Sequence, residues 1–227
     1  MKIDLQKIIK ELKEKWSKET SDVVYDHALI IYKRSEIIER LEGFNSLEDF
    51  LNSKKVGRYL LIYITKVLND RWKEAEPYLI KDDRCIYGYS FDIIKGRWLE
   101  AKENLIKGNI NRDHDFYSNY SIAYAKDIIK GRWSELEDFL LKRNNFHDLY
   151  YYAKIVINGR WAEAEKKLLS SNIEKDESFW TVWEYFKKFI EKDKWAEFEE
   201  KFKDNKEIMG KYNKFFEQRE KSIKKYI

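Results

Sequence analysis

Two His-Asp pairs, His114-Asp115 and His147-Asp148, are the residues of this sequence whose types could ligate a metal or take part in hydrolysis. A zinc site needs three or four ligands at characteristic spacings, and no second histidine stands at ligand spacing from either pair. The remaining histidine, His27, is isolated. The sequence also lacks a Gly-rich phosphate loop, a nucleophile elbow and an H-E-x-x-H helix. We therefore predict a non-enzymatic protein with no catalytic residue, no metal site and no cofactor.

Glutamates that recur two residues after a tryptophan are a second candidate for acid–base chemistry. Paired carboxylates can serve as general acid and base. Here they recur in every copy of a repeated phrase, which favours a structural role in the first turn of a helix, where the helix dipole stabilises negative charge. The set is Glu74, Glu100, Glu135, Glu163 and Glu197.

The composition indicates a helical protein that does not depend on disulfides. The 227 residues include one proline, one cysteine (Cys85), 45 basic and 41 acidic residues. This near balance argues against a dedicated nucleic-acid domain and against an acidic mimic of nucleic acid. No apolar run approaches the ~20 residues of a membrane span. Apolar residues recur at helical spacing and no convincing strand pattern occurs, so we predict an all-α, soluble, cytoplasmic protein.

A repeated phrase organises the chain. "DIIKGRW" occurs at 92–98 and again at 127–133, and "IVINGRW" ends at 161. Five units share a tryptophan with an aromatic residue nine positions earlier, and a weaker sixth unit has Phe44 in the place of the tryptophan. The tryptophans are Trp72, Trp98, Trp133, Trp161 and Trp195, and the aromatics are Tyr63, Tyr89, Tyr124, Tyr152 and Phe186. Helical repeats of a few tens of residues stack on their neighbours and so bury a continuous core.

Glycine stands two residues before the tryptophan in three units, at Gly96, Gly131 and Gly159. Glycine readily adopts the left-handed backbone conformation that ends a helix. We therefore predict that each glycine has a positive φ, ends the first helix of its unit, and is followed by a second helix that starts directly after the tryptophan. Each unit is then a helical hairpin with the tryptophan packed in its angle.

The phrase G-R-W-x-E-A at 96–101 and 159–164 resembles the turn between the two helices of tetratricopeptide (TPR) and Sel1-like repeats, and the longer K-G-R-W phrase resembles repeats of uncharacterised bacteriophage and other viral proteins. The resemblance implies a solenoid of stacked antiparallel hairpins that binds proteins or peptides. Repeat lengths of 26 to 35 residues are irregular for the family. We predict N-terminal capping helices at 1–43, hairpin repeats at 44–205 and a C-terminal capping helix at 206–227.

Several tyrosines fall beside the positions that the repeat assigns to the core. An exposed row of tyrosines would suit a binding surface, because tyrosine gives a large contact area at low entropic cost. If the helices of the solenoid bury two faces, the same tyrosines belong to the core instead. The predicted partner-binding residues are Tyr87, Tyr120, Tyr150 and Tyr151, with Lys95, Lys126 and Lys130 at the rim; Tyr117 and Tyr185 are also off the assigned core.

Two functions remain open at this point. The first is a protein-binding scaffold or adaptor, including a virus-encoded factor that engages a host protein in the host cytoplasm. The alternative is a single-stranded RNA or DNA binder, in which bases stack on the tyrosines and lysines contact phosphate.

Overall fold

The computed structural model describes residues 2–19, 23–25, 31–108, 119–143, 145–170, 176–190, 195–204, 206, 209–214 and 216–217. The chain forms two compact units, Met1–Phe139 (unit 1) and Leu140–Ile227 (unit 2). His27, His114, Asp115 and Tyr117 lie outside the described residues. The described chain is predominantly helical, as predicted, but it also contains one short pair of antiparallel strands that the sequence pattern did not reveal.

Unit 1 begins with an amphipathic helix in the segment predicted to hold N-terminal capping helices, and continues through two short strands and two further helices into three hairpins. The elements are α1 (Leu5–Trp16), β1 (Val23–Tyr25), β2 (Ile31–Lys33), α2 (Arg34–Glu42), α3 (Leu47–Asn52), α4 (Val56–Tyr63), α5 (Glu76–Leu79), α6 (Asp83–Tyr89), α7 (Lys102–Gly108), α8 (Tyr120–Tyr124) and the start of α9 (Ser134–Lys142). A 3-10 turn, Leu99–Ala101, leads into α7. We refer to α4, α6 and α8 as the first helices of unit 1; α4 packs on α6, and α6 packs on α8.

Unit 2 repeats the hairpin pattern. Its helices are α10 (Phe146–Tyr152), α11 (Ala162–Ser170), α12 (Asp176–Phe189) and α13 (Ala196–Phe202), and residues 209–214 are also helical. Helix α10 packs on α12, and α11 packs on α13. First helices therefore lie on first helices, and second helices on second helices, within this unit.

The first helices end in a wide turn that places the left-handed residue one position earlier than predicted. Four of them continue as π-helical turns, Ile64–Leu68, Ser90–Ile94, Ala125–Ile129 and Ala153–Ile157. The following residues, Asn69, Lys95, Lys130 and Asn158, have φ between 49° and 60°, whereas no described glycine has a positive φ. The prediction for Gly96, Gly131 and Gly159 was therefore wrong: a π turn closes with a bond to the fifth preceding carbonyl, and the chain reverses at the residue before the glycine.

The predicted core of the repeat is confirmed. All five tryptophans are buried, and so are the aromatics nine residues before them. Within each repeat the two rings pack together, with centroids 5.7 Å apart for Tyr63 and Trp72 and 5.1 Å apart for Tyr89 and Trp98. Ala75, Ala101 and Ala164 are fully buried, which fits the close approach of the two helices of a hairpin.

In unit 1, two buried tyrosine hydroxyls each join a repeat to the preceding one. The Trp72 backbone N–H donates to the Tyr89 hydroxyl at 2.9 Å, and Trp98 N–H donates to Tyr124 at 2.7 Å. These bonds satisfy an N–H at the start of the second helix, which has no partner within its own helix. We call this arrangement the tyrosine clamp: the ring packs on the tryptophan of its own repeat, and the hydroxyl binds the backbone of the repeat before.

Glutamates four residues after the tryptophan complete the tyrosine clamp. Glu76 accepts from the Tyr89 hydroxyl at 3.2 Å and from Arg71 Nε at 2.6 Å. Glu137 forms the same paired bonds with Arg132, at 2.8 and 2.7 Å. Charge-assisted pairs of this kind are stronger than neutral hydrogen bonds. The glutamates of the sequence prediction, two residues after the tryptophan, lie on the solvent side; Glu74, Glu100, Glu135 and Glu163 are exposed.

In unit 2 the clamp uses a tyrosine that the repeat register had placed outside the core. Tyr185 is fully buried, its hydroxyl accepts from Trp161 N–H at 2.7 Å, and it donates to Glu165 at 2.9 Å. The predicted off-core position was wrong because the ring next to it, Phe186, fills the aromatic site against Trp195. Tyr185 therefore bonds to the preceding repeat and Phe186 packs on the tryptophan, whereas Tyr89 makes both contacts.

Candidate docking surface

Two of the four predicted tyrosines are packed side by side in unit 1. Tyr87 lies on α6 and Tyr120 begins α8, and their ring centroids are 5.9 Å apart. They are 8% and 5% exposed, so the prediction that they stand off the buried face was wrong. The physical reason is that α6 packs on α8, and the interface covers these ring faces.

The Tyr87 and Tyr120 rings belong to a row of side chains that we call the ladder surface. Arg84 lies on one side, with Nε donating to the Tyr120 hydroxyl at 2.8 Å. Phe91 lies on the other side, with its ring centroid 5.9 Å from that of Tyr87. Asp127 accepts a hydrogen bond from the Tyr87 hydroxyl at 2.8 Å. The ladder surface is thus Arg84, Tyr87, Phe91, Tyr120 and Asp127.

Phe91 is the exposed member of the ladder surface. Its side chain is 43% exposed in the π-helical turn after α6, one of few large apolar residues of the described chain with so much open surface. The sequence carried a signal for this residue that the prediction did not use. Seven residues before the tryptophan, other units have a polar residue, Thr65, Lys126 or Lys154, and this unit has Phe91.

The Tyr87 hydroxyl of the ladder surface stays protonated at neutral pH. Burial, and then the hydrogen bond to Asp127, raises the pKa of Tyr87 well above its usual value. Tyr87 therefore remains a donor, and it holds the Asp127 carboxylate in place. The ladder surface offers a rigid aromatic platform rather than a titrating group.

The three predicted rim lysines are exposed. Lys95 and Lys130 occupy the left-handed positions that end their helices, and Lys126 lies next to Asp127, with Nζ 3.8 Å from Oδ1. Lys95 follows Phe91 by four residues. Their exposure leaves the predicted role of these lysines at the rim of a tyrosine surface as a prediction.

The other two predicted tyrosines lie in unit 2 and are half-buried. The Tyr150 ring lies 6.4 Å from Phe189, with Lys154 Nζ 5.5 Å from its centroid. Tyr151 stacks on His147, with ring centroids 6.0 Å apart. Burial lowers the pKa of His147, so this imidazole is neutral at pH 7. Their partial exposure leaves the predicted binding role of Tyr150 and Tyr151 as a prediction.

No protein-family model, curated protein or solved structure shows significant similarity to this chain. None of the helices in the described ranges combines the length and the apolar character that a bilayer span requires.

Proposed function

We propose that this protein is a non-enzymatic helical-repeat scaffold that binds another protein, and that the ladder surface of unit 1 is its docking site. The hairpins joined by tyrosine clamps are the stacked units of a TPR-like or Sel1-like solenoid. The resemblance of the repeat phrase to viral repeats extends the proposal to a virus-encoded factor that engages a host protein.

The exposure of Phe91 is the observation that carries the proposal. Interface hot spots are aromatic side chains at the centre of a packed patch, surrounded by residues that exclude water. Phe91 shares part of this description, because its ring is exposed, the Tyr87 ring packs beside it with centroids 5.9 Å apart, and the exposed Lys95 follows it by four residues. The clamp tyrosines do not compete for this role, since Tyr63 and Tyr89 are fully buried.

Single-stranded nucleic acid is the alternative, and the lysines around Phe91 favour it. Bases stack on exposed aromatic rings while lysines neutralise phosphates. The buried faces of Tyr87 and Tyr120 weigh against this alternative, because Phe91 is then the one ring of the ladder surface open to a base.

Photo-crosslinking at Phe91 tests the proposal. Benzoylphenylalanine replaces Phe91 in one variant and Leu99, which is 72% exposed elsewhere in unit 1, in a matched control. In cells that normally contain the protein, we expect discrete adducts from position 91 that resist nuclease and are degraded by protease. Nuclease-sensitive adducts at position 91 would support the nucleic-acid alternative, and equal adduct patterns from both positions would contradict a site at Phe91.

A salt titration separates the two functions independently. Binding to nucleic acid weakens steeply with salt because condensed counterions are released from phosphates. We expect a labelled 20-mer of uridine to bind weakly at 50 mM salt, with no dependence on Phe91. Tight binding that is lost in Phe91→Ala would favour the nucleic-acid function.

A further inference from the structure

The exposed charges of unit 1 are divided between its two sets of helices. Within the described first helices and their left-handed caps, the charged side chains that are exposed belong to lysine: Lys66, Lys95, Lys126 and Lys130. The carboxylates on the same helices, including Asp92 and Asp127, are half-buried or buried. The first helices therefore present a cationic surface although the whole chain carries a net charge of only +4.

The second helices carry the opposite balance. Within unit 1, the exposed charged residues of the second helices α7 and α9 are Glu103, Glu135 and Asp138, against Lys107. The exposed Arg71, Arg97 and Arg132 lie in the turns directly before the tryptophans. Charge segregation of this kind steers a partner of opposite sign towards one side of a protein and suppresses other partners. A partner of the ladder surface should therefore be acidic.

The carboxylate of the ladder surface does not cancel this preference. Asp127 is half-buried and its carboxylate accepts a hydrogen bond from the Tyr87 hydroxyl, so it is less open to a partner than the exposed lysines. Lys95 and Lys130 are exposed at the left-handed ends of their helices, where their amines are open to a ligand.

The exposed Phe91 ring indicates that a partner of the ladder surface also carries an apolar side chain. Phe91 offers open apolar surface that one apolar side chain of a partner could cover, whereas the neighbouring Tyr87 and Tyr120 rings are already packed. A row of stacked bases would need several open rings. One apolar anchor flanked by carboxylates matches one open ring flanked by lysines.

We propose that the ladder surface binds an acidic protein segment that carries an apolar anchor, with the anchor on Phe91 and carboxylates against Lys95, Lys126 and Lys130. This inference rests on the proposed function, because it specifies the partner of the same surface. The fold contributes rigid support for the ring, and the lysines contribute selectivity for negative charge.

Selection from a displayed library of random 12-residue peptides tests the inference on the full-length protein. We expect the enriched peptides to combine a net negative charge with Trp, Phe or Leu, and to bind Phe91→Ala at least tenfold more weakly than wild type. Lys126→Glu should weaken them by at least threefold. The matched controls are Leu99→Ala and Lys107→Glu, which alter an exposed apolar residue and an exposed lysine away from the ladder surface and should leave binding unchanged. Circular dichroism of each variant confirms that it is folded.

The outcomes that would contradict the acidic partner differ from those that would contradict the docking site. Peptides that depend on Phe91 but are neutral or basic would overturn the acidic partner and leave the docking site intact. No enrichment, or peptides indifferent to Phe91, would overturn both the inference and the proposed site. Concentration-dependent self-association that is abolished by Phe91→Ala would assign the surface to a second copy and also overturn the acidic-segment proposal.

Discussion

Lys95 and Lys130 hold a left-handed backbone conformation that asparagine holds in the equivalent positions of two other repeats. A side chain at positive φ is strained by contact of its Cβ with the backbone, and asparagine tolerates this better than most residues. The glycine that follows each of these residues is not the strained position. An ideal Cβ added to Gly131 meets no atom within 4 Å, and Asp70 occupies the corresponding place in the first complete repeat.

We expect Lys130→Gly to raise the free energy of unfolding by about 0.5 to 1 kcal/mol, because it relieves this strain. Lys130→Val should lower it by about 1 to 2 kcal/mol, since a β-branched residue is poorly tolerated at positive φ. Urea unfolding monitored by circular dichroism measures both. Gly131→Ala is the control and should change little; a greater loss for Gly131→Ala than for Lys130→Val would contradict the assignment.

At the scale of the element, the tyrosine clamp explains why these short first helices are stable. Helix α8 has only five residues before its π-helical turn, too few for an isolated helix. Its Tyr124 packs on Trp133 and accepts a hydrogen bond from Trp98 N–H. Helix α1 takes part as well, because Glu11 accepts a hydrogen bond from the Tyr63 hydroxyl, whereas Tyr89 and Tyr185 donate to a glutamate of the preceding repeat. The clamp therefore ties short helices into one packed unit.

Alkaline pH should weaken the clamp. Burial raises the pKa of Tyr89 to about 12, and it also raises the pKa of Tyr63 and Tyr185. Their folded pKa values lie above the unfolded value of about 10, so their contribution to stability is complete below pH 10 and is lost as pH rises from 10 towards 12. We expect the melting temperature to fall across this range together with a rise in tyrosinate absorbance at 295 nm. Full tyrosine ionisation near pH 10 without unfolding would show that these hydroxyls are not buried.

The repeat register and the clamp show what the sequence could and could not predict at this scale. The spacing of Trp98 and Tyr89 revealed that both are buried, because burial follows apolar periodicity. It did not reveal that the Tyr89 hydroxyl crosses to Trp72, since that bond depends on how one hairpin stacks on the next. The glutamates at Glu76 and Glu165 carried a usable signal, because each follows an arginine by five residues.

At the scale of the whole molecule, the candidate site was only partly predictable. The rim lysines and their exposure followed from the pattern, whereas Tyr87 and Tyr120 were taken for exposed anchors because the pattern of one helix does not show what its neighbour covers. Phe91 was missed although the sequence carried a signal, an aromatic residue at a position that is polar in other repeats. A sequence predicts which face a helix buries more reliably than it predicts which residue is left at the edge of an interface.

Cys85 provides a probe of unit 1 as a whole. It is fully buried, and burial raises the pKa of its thiol, so we expect the native protein to resist a thiol reagent at pH 8. Trp133→Ala removes a buried ring and should destabilise the protein by about 3 to 5 kcal/mol. The labelling rate of Cys85 should then rise by about a hundredfold or more. An unchanged rate would indicate that Trp133 is not part of the core of this unit.

Aromatic residues of one helix and its π-helical turn differ in their contribution to stability: the buried Tyr89 stabilises the fold, whereas the exposed Phe91, the proposed contact for a partner, contributes little. Equilibrium urea unfolding of Tyr89→Phe and Phe91→Ala tests it directly. Tyr89→Phe deprives the buried Trp72 N–H and Glu76 of a partner and should cost about 1 to 3 kcal/mol. Phe91→Ala removes a ring that is 43% exposed and should cost about 1 kcal/mol or less. A larger loss for Phe91→Ala than for Tyr89→Phe would contradict the account.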